Sequence, residues 1–297
     1  MTDPRVIETY GLTKWYGELE AVHDLSFGVE RGSISGFLGQ NGAGKSTTIK
    51  ILLGMMRPTK GGGRVLGRDI VDPAASLAMR QRVAYVAEDK RLYDYMTVGQ
   101  LIAFTKAFYP TWRSDIEKEL LDEFRLPVDR PTKKLSKGMR TQTALLLAFA
   151  RGAELLVLDE PTEGLDPVVT DKVLKLTVRA AGDGATVFFS SHQIAEVEQI
   201  ADRVLVIDRG QLVLDASVDA VKEEFRRIRA VHERPERVDL TAVQGVRRVN
   251  VDGRVVSIVA THNVEGIIRH LRNQGSSVEV LPVTLREVLL ESIGTKT

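Results

Sequence analysis

The segment Gly39-Gln40-Asn41-Gly42-Ala43-Gly44-Lys45-Ser46 constrains this chain more than any other. It meets the pattern G-x-x-x-x-G-K-[ST] at every fixed position, and its flanks supply the context that pattern requires. Ser33 to Leu38 reads as a short apolar strand, and Gly44 to Leu53 as a helix. Glycines between them let the backbone wrap an anion with its N–H groups turned inward. The helix that follows points its positive dipole end at the same anion. Lys45 can then reach the β- and γ-phosphates of a nucleotide, and the Ser46 hydroxyl can ligate Mg²⁺. The loop alone specifies nucleotide binding, but not which nucleotide or for what purpose.

The first 220 or so residues, this loop included, have the rhythm of an α/β fold, alternating short apolar runs with longer helical patterns. Val83 to Val86, Leu155 to Leu158, Val187 to Ser190 and Val204 to Ile207 are continuous apolar runs of the kind found in buried parallel strands. Met96 to Phe108 and Ile116 to Phe124 have helical spacing, with Pro110 between them. After Ser217 the texture changes. Lys222 to Arg237 is crowded with charge, carries Pro235, and reads as an exposed connector or edge strand. Short β patterns at Val246 to Val251 and Val255 to Ala260 follow, then a helix at Val264 to Arg272, a strand at Val278 to Leu281 and a helix at Leu285 to Ser292. The predicted division is a large α/β domain over residues 5–220 and a small α+β domain over 221–297.

The strand Leu155-Leu156-Val157-Leu158 runs into two acids, Asp159 and Glu160. A carboxylate at the C-terminal end of a parallel strand, beside a phosphate loop, can hold Mg²⁺ directly or through water. The next acid is then placed to orient and polarise a water for attack on the γ-phosphate. Asp159 is therefore expected at the metal and Glu160 at the water. A strand that simply ends in solvated acids is the plainer alternative.

In order and spacing, these segments resemble an ABC-family ATPase cassette, and the resemblance covers about Val6 to Ser217. Leu135-Ser136-Lys137-Gly138-Met139 resembles the family's LSGGQ signature, and Glu163-Gly164-Leu165-Asp166 the loop after the paired acids. His192, following Val187 to Ser191, resembles the switch histidine, and Tyr16 in Lys14-Trp15-Tyr16-Gly17 the aromatic that stacks on adenine, with Trp15 the neighbouring alternative. The resemblance implies a P-loop ABC cassette with a helical subdomain. It also implies ATP as ligand, bound by Tyr16, by Gly39, Asn41, Gly42, Ala43, Gly44, Lys45, Ser46 and Thr47, and by Asp166. It further implies that Ser136 and Gly138 of one subunit cap the γ-phosphate held by another, and that His192 hydrogen-bonds that phosphate. Mg²⁺ would lie on Ser46, Asp159 and Glu88, with Glu160, His192 and Glu88 at the catalytic centre.

Two segments depart from the family's pattern. Lys137 replaces a signature glycine and Met139 the glutamine, and the Lys137 side chain is expected to face solvent. Glu88, in Tyr85-Val86-Ala87-Glu88, stands where the family carries a glutamine. A carboxylate there can still join Mg²⁺ or water binding, but it adds negative charge near the phosphates.

Composition narrows the function classes. Lys plus Arg number 41 and Asp plus Glu 40, so no basic excess marks a nucleic-acid partner. The distance from Ser46 to Leu135 is too short and too varied for the heptads of a DNA-acting relative, and a ribosome-acting one would carry two cassettes. Cysteine is absent. No secretory leader is read, and the longest apolar stretch, Thr141 to Ala150, is about half of what a membrane span needs, so it reads as a buried helix. What the resemblance implies is the motor of a transporter, leaning to export, on the cytoplasmic face of the membrane of a bacterium. Its partners would be a transmembrane permease on another chain and a second cassette, identical or different. Tyr93, Tyr95 and Met96 are expected at the permease contact.

Overall fold

The computed structural model describes residues 4–235, 238–240, 243–281 and 283–288. They fall into two compact units that meet in sequence between Asp215 and Ala216. This division leaves the helix Val218–Glu224 whole, which a boundary at residue 220 would cut, but it falls near the end of the strand Gln211–Ser217.

The first unit opens with β1 (Arg5–Tyr16), β2 (Leu19–Leu25) and β3 (Gly28–Glu30), none of them marked by a strong apolar run. With β5 (Lys60–Val65) and β6 (Arg68–Asp69) they form a five-stranded sheet in the order β2-β1-β5-β6, with β3 also beside β1. Its pairs are antiparallel. The second sheet takes β4 (Ile34–Leu38), β7 (Val83–Val86), β8 (Leu155–Asp159), β9 (Thr186–Ser191), β10 (Arg203–Asp208) and β11 (Gln211–Ser217), in the order β11-β10-β4-β9-β8-β7. From β10 through β7 its neighbours run parallel. Of the four inner strands, β4, β8 and β9 are buried along their whole length and β10 along all but its ends, as both faces of a parallel sheet must be. Phe27, Phe37 and Phe188 pack ring to ring at 5.3–6.0 Å in the core that the two sheets share.

Helix α1 (Lys45–Leu52) leaves the C-terminal end of β4 through the glycine loop. α2 (Pro73–Arg80) follows β6, with Asp72 capping it and proline in its first turn. A helical group comes next: α3 (Val98–Lys106), α4 (Ser114–Glu123) and α5 (Lys137–Ala150), with α3 and α4 both against α5. Thr97 and Gln100 close α3 with a reciprocal capping box. α6 (Pro167–Gly182) and α7 (Ile194–Ile200) pack on β9.

The second unit holds α8 (Val218–Glu224), β12 (Arg226–Val231), β13 (Val246–Asp252), β14 (Val255–Ala260), α9 (Val264–Asn273) and β15 (Ser277–Leu281). Its sheet is antiparallel, in the order β13-β14-β12-β15. This corrects the expectation for the charged stretch from Lys222. β12 is an inner strand, because Ile228 and Ala230 alternate with arginines and bury one face against Val256, Ile258, Ile267 and Leu271. Residues 236 and 237 of that stretch lie outside the described residues. The expected helix from Leu285 is seen through Val288, and its continuation lies outside them as well. Among the described residues no helix is long and apolar enough to cross a membrane.

Candidate functional site

The phosphate loop owes its shape to backbone conformations that side chains resist. Gly42 and Gly44 have φ of 83° and 107°, in the left-handed region. At Gly44 a Cβ would lie 2.5 Å from the Ala21 carbonyl, and at Gly39 one would lie 2.6 Å from the Ile207 carbonyl. Thr48 then ties the start of α1 to the Gly44 carbonyl through its amide and its hydroxyl, each at 2.9 Å. Asn41 is exposed and Ala43 buried, while Ser46 and Thr47 are half-buried.

Lys45 is buried and turns back along the loop. Its Nζ donates to the Gly39 carbonyl at 2.7 Å and lies 3.2 Å from Glu160 Oε1. The other Glu160 oxygen, Oε2, is 2.8 Å from His192 Nδ1. Glu160 is thus held between a lysine and a histidine with only 6% of its side chain exposed. Its backbone has φ 48°, which aims the side chain out of the line of β8.

Asp159 sits one residue earlier, at the end of β8. Its Oδ1 accepts from Ser190 Oγ at 2.5 Å, and the same hydroxyl accepts from the Glu160 amide at 3.1 Å. Oδ2 is buried and makes no full hydrogen bond. Burial pushes the Asp159 carboxyl above its ordinary range; Ser190, and more weakly the nearby Ser46, favour the charged form, and the charges of Glu88 and Glu160 oppose it. Such an oxygen suits a hard cation. Ser46 Oγ in turn donates to Glu88 Oε2 at 3.2 Å. A hydroxyl and two carboxylates therefore face a cleft of about 490 Å³, which Lys137 and Arg140 also line. Among the described residues no group of three or more His, Asp and Glu could hold a metal by itself. An ion here would share its coordination with phosphate oxygens and water, as Mg²⁺ commonly does.

Two residues that the motifs do not mark belong to this centre. Ser190 reaches it because β8 and β9 pair in parallel with Asp159 opposite Ser190; its only sequence signal is a hydroxyl at a strand end. Lys90 buries its ammonium beneath the paired acids and donates to the Glu160 carbonyl at 2.6 Å and to the Asp159 carbonyl at 3.3 Å. Burial lowers its pKa, against the surrounding acids Glu163, Asp159, Glu160 and Glu88.

Of the other expected residues, His192 is part of this centre, Lys137 borders its cleft, and the rest stand elsewhere. His192 rests its Nδ1 on the Glu160 carboxylate, with 43% of its side chain exposed. Asp166 caps α6, accepting from the amides of Val168 and Val169. Ser136 caps α5 through the Met139 amide, and Gly138 lies near the Gly164 carbonyl. Lys137 is mostly exposed but not merely solvated: its Nζ pairs with Glu163 Oε1 at 2.7 Å and holds that carboxyl below its usual range. Tyr16 is partly exposed at the end of β1, with Lys14 Nζ 5.4 Å from its ring centre and its hydroxyl on Met56 Sδ. Tyr93 and Tyr95 are exposed, and with Phe104 and Phe108 they form a chain of ring contacts at 5.2–5.9 Å. Met96 is only half-buried beside them, its carbonyl taken by the Thr132 amide.

Comparison with known proteins converges on one family. Residues 22–163 match the family model described as ABC transporter. The chain is 30% identical to the bacitracin transport ATP-binding protein of Bacillus licheniformis, over 98% of this chain and 96% of that protein. It is 32% identical to a daunorubicin resistance ATP-binding protein of Streptomyces coeruleorubidus, over 95% and 92%. An uncharacterized ABC transporter ATP-binding protein of Synechocystis is 34% identical over 73% of this chain, and the match spans 64% of that protein's length. A solved ATP-binding subunit of an ABC transporter superposes with a TM-score of 0.67 at 29% identity, covering 73% of this chain and 92% of that one.

Proposed function

Because this chain belongs to the family of ABC transporter ATP-binding proteins, we propose that the centre around Lys45 and Glu160 hydrolyses ATP as one half of a composite site, and that the energy drives export. The observation that carries this reading is Glu160, fixed on one side by Lys45 and on the other by His192.

Each residue then has a task. The amides of Gly42 to Ser46 and the start of α1 receive the phosphates. Lys45 lies close enough to Glu160 to neutralise phosphate charge at the point of attack. Glu160 orients the attacking water and accepts hydrogen bonding from it, while His192 holds the carboxylate in one rotamer. Ser46, Asp159 and Glu88 are the residues that would hold Mg²⁺, with the buried Asp159 Oδ2 free to meet it. When bound with the nucleotide, Mg²⁺ neutralises charge on the β- and γ-phosphate oxygens. Tyr16 offers a partly exposed ring for adenine.

One chain carries one phosphate loop and one signature. Ser136 and Gly138 stand at the start of α5, where helix amides point outward. They would complete the site of a second cassette, with Asp166 on the same joint. ATP then acts as interfacial glue that hydrolysis releases, a two-state element a permease can feel. The exposed aromatic group at Tyr93 and Tyr95 is the surface we assign to that permease, at the cytoplasmic face of the membrane. Two relatives are named for bacitracin transport and daunorubicin resistance; that likeness supports outward transport, with the cargo chosen by the permease.

Light scattering of the purified chain at saturating Mg-ATP tests the centre. A Glu160→Gln variant should persist as an ATP-bound dimer while the wild type returns to monomer after turnover. Retention of wild-type ATP turnover by Glu160→Gln would remove Glu160 from the mechanism.

A further inference from the structure

Lys90 spends a buried ammonium on main-chain carbonyls. Only 6% of the residue is exposed, and its Nζ donates to Glu160 O at 2.6 Å and to Asp159 O at 3.3 Å. Removing an ammonium from water is costly unless hydrogen bonds replace the lost hydration. Such a group is an expensive way to satisfy two carbonyls at an ordinary strand end.

This strand end is not ordinary. At Glu160 the chain leaves β8 with a left-handed φ of 48°. Ser190 holds the Glu160 amide from the β9 side, and the Glu163 amide donates to the Glu160 carbonyl at 3.3 Å. Lys90 grips that carbonyl from the opposite loop. The direction of the Glu160 side chain follows from the peptide planes on either side of its Cα, so whatever fixes those planes also aims the carboxylate. The same loop sends Glu88 to the Ser46 hydroxyl, so residues 88–90 touch the phosphate loop and the paired acids at once.

We propose that Lys90 is a positioning residue for Glu160, clamping the Asp159–Glu160 turn so that the carboxylate keeps its aim at the attacking water. The inference rests on the reading of Glu160 as the residue that orients that water. Lys90 acts through the two peptide carbonyls that its Nζ holds.

The test uses the full chain, with steady-state ATP turnover and the affinity of a fluorescent ATP analogue as separate readouts. Lys90→Met, close to isosteric but without donors, should lower kcat about 10- to 100-fold, the scale of a misplaced catalytic group. KM for ATP and analogue affinity should change by less than about threefold, since ground-state binding is untouched. Lys90→Gln, which keeps a neutral donor, should fall between and serves if Lys90→Met does not fold. In a Glu160→Gln background, Lys90→Met should remove little of the remaining turnover, because the residue it positions is already gone. Wild-type kcat in both Lys90 variants overturns the proposal, as does a full additional loss in the Glu160→Gln background or a rise in KM at constant kcat. Unchanged turnover in Glu160→Gln alone marks the separate failure of the Glu160 assignment.

Discussion

Glu160 takes a left-handed φ of 48°, a conformation that costs an L-residue about 1–2 kcal/mol. The surrounding hydrogen bonds offset that cost. Ser190 is the most economical of them, one hydroxyl serving both Asp159 Oδ1 and the Glu160 amide. Ser190→Ala takes the hydroxyl donor from the buried Asp159 Oδ1 and leaves the Glu160 amide with only the Ser190 carbonyl at 3.3 Å, at a cost of about 1–3 kcal/mol. The expected outcome is a lower unfolding midpoint together with a higher Mg²⁺ requirement for half-maximal turnover, read by thermal melting and a Mg²⁺ titration. Sequence motifs marked Lys45, Ser46, Asp159 and Glu160, because those roles need fixed residue types at fixed spacing. They could not mark Ser190 or Lys90, whose places depend on which strands lie side by side. Nor could they show that the acid at Glu88 would rest on the Ser46 hydroxyl.

Among the elements, the parallel strands were legible because burial on both faces leaves an unbroken apolar run. The N-terminal antiparallel sheet was not. β1 pairs with its neighbours through register shifts near Leu12 and Lys14, and Gly11 carries a positive φ, so the alternation of period two is broken within the strand. β12 hid in a different way: its arginines outweigh two small or aliphatic core residues in any average over the segment. At the starts of β7 and β8, Arg82 and Glu154 form a two-pronged pair at 2.5 and 2.7 Å. The hydrogen bond from Arg82 holds the Glu154 carboxyl below its usual range, against a smaller effect of burial. A carboxylate depressed on folding stabilises above its unfolded pKa, and that contribution is lost as pH falls through the folded value. Both side chains are substantially exposed, so the pair contributes less than about 1 kcal/mol. Glu154→Gln should therefore melt slightly below wild type at neutral pH, and the two melting curves should converge as pH falls through the carboxylate range.

For the whole molecule, the aromatic group at Tyr93, Tyr95, Phe104 and Phe108 is the feature a free monomer has least use for. Tyr95 is 75% exposed and Phe108 64%, and clustered exposed aromatics mark contact surfaces. Tyr95→Asp combined with Phe108→Ser should leave the ATP turnover of the isolated chain within about twofold, as surface changes remote from the chemistry do. The same variant should fail to co-purify with the permease from membranes. Retained co-purification would move the docking surface elsewhere.

The strand order of the second unit carries a consequence for how the chain is made. β12 leads its sheet in sequence but lies inside it, flanked by β14 and β15. A ribosome must release the chain through Leu281 before that strand has both neighbours, whereas the last strand of the six-stranded sheet, β11, ends at Ser217. The nucleotide-binding unit can thus assemble while its companion is still being synthesised. Until β15 emerges, β12 shows one unpaired edge, the kind of surface that recruits foreign strands. Its arginines, which disguised it as a connector, place positive charge along that edge during the wait.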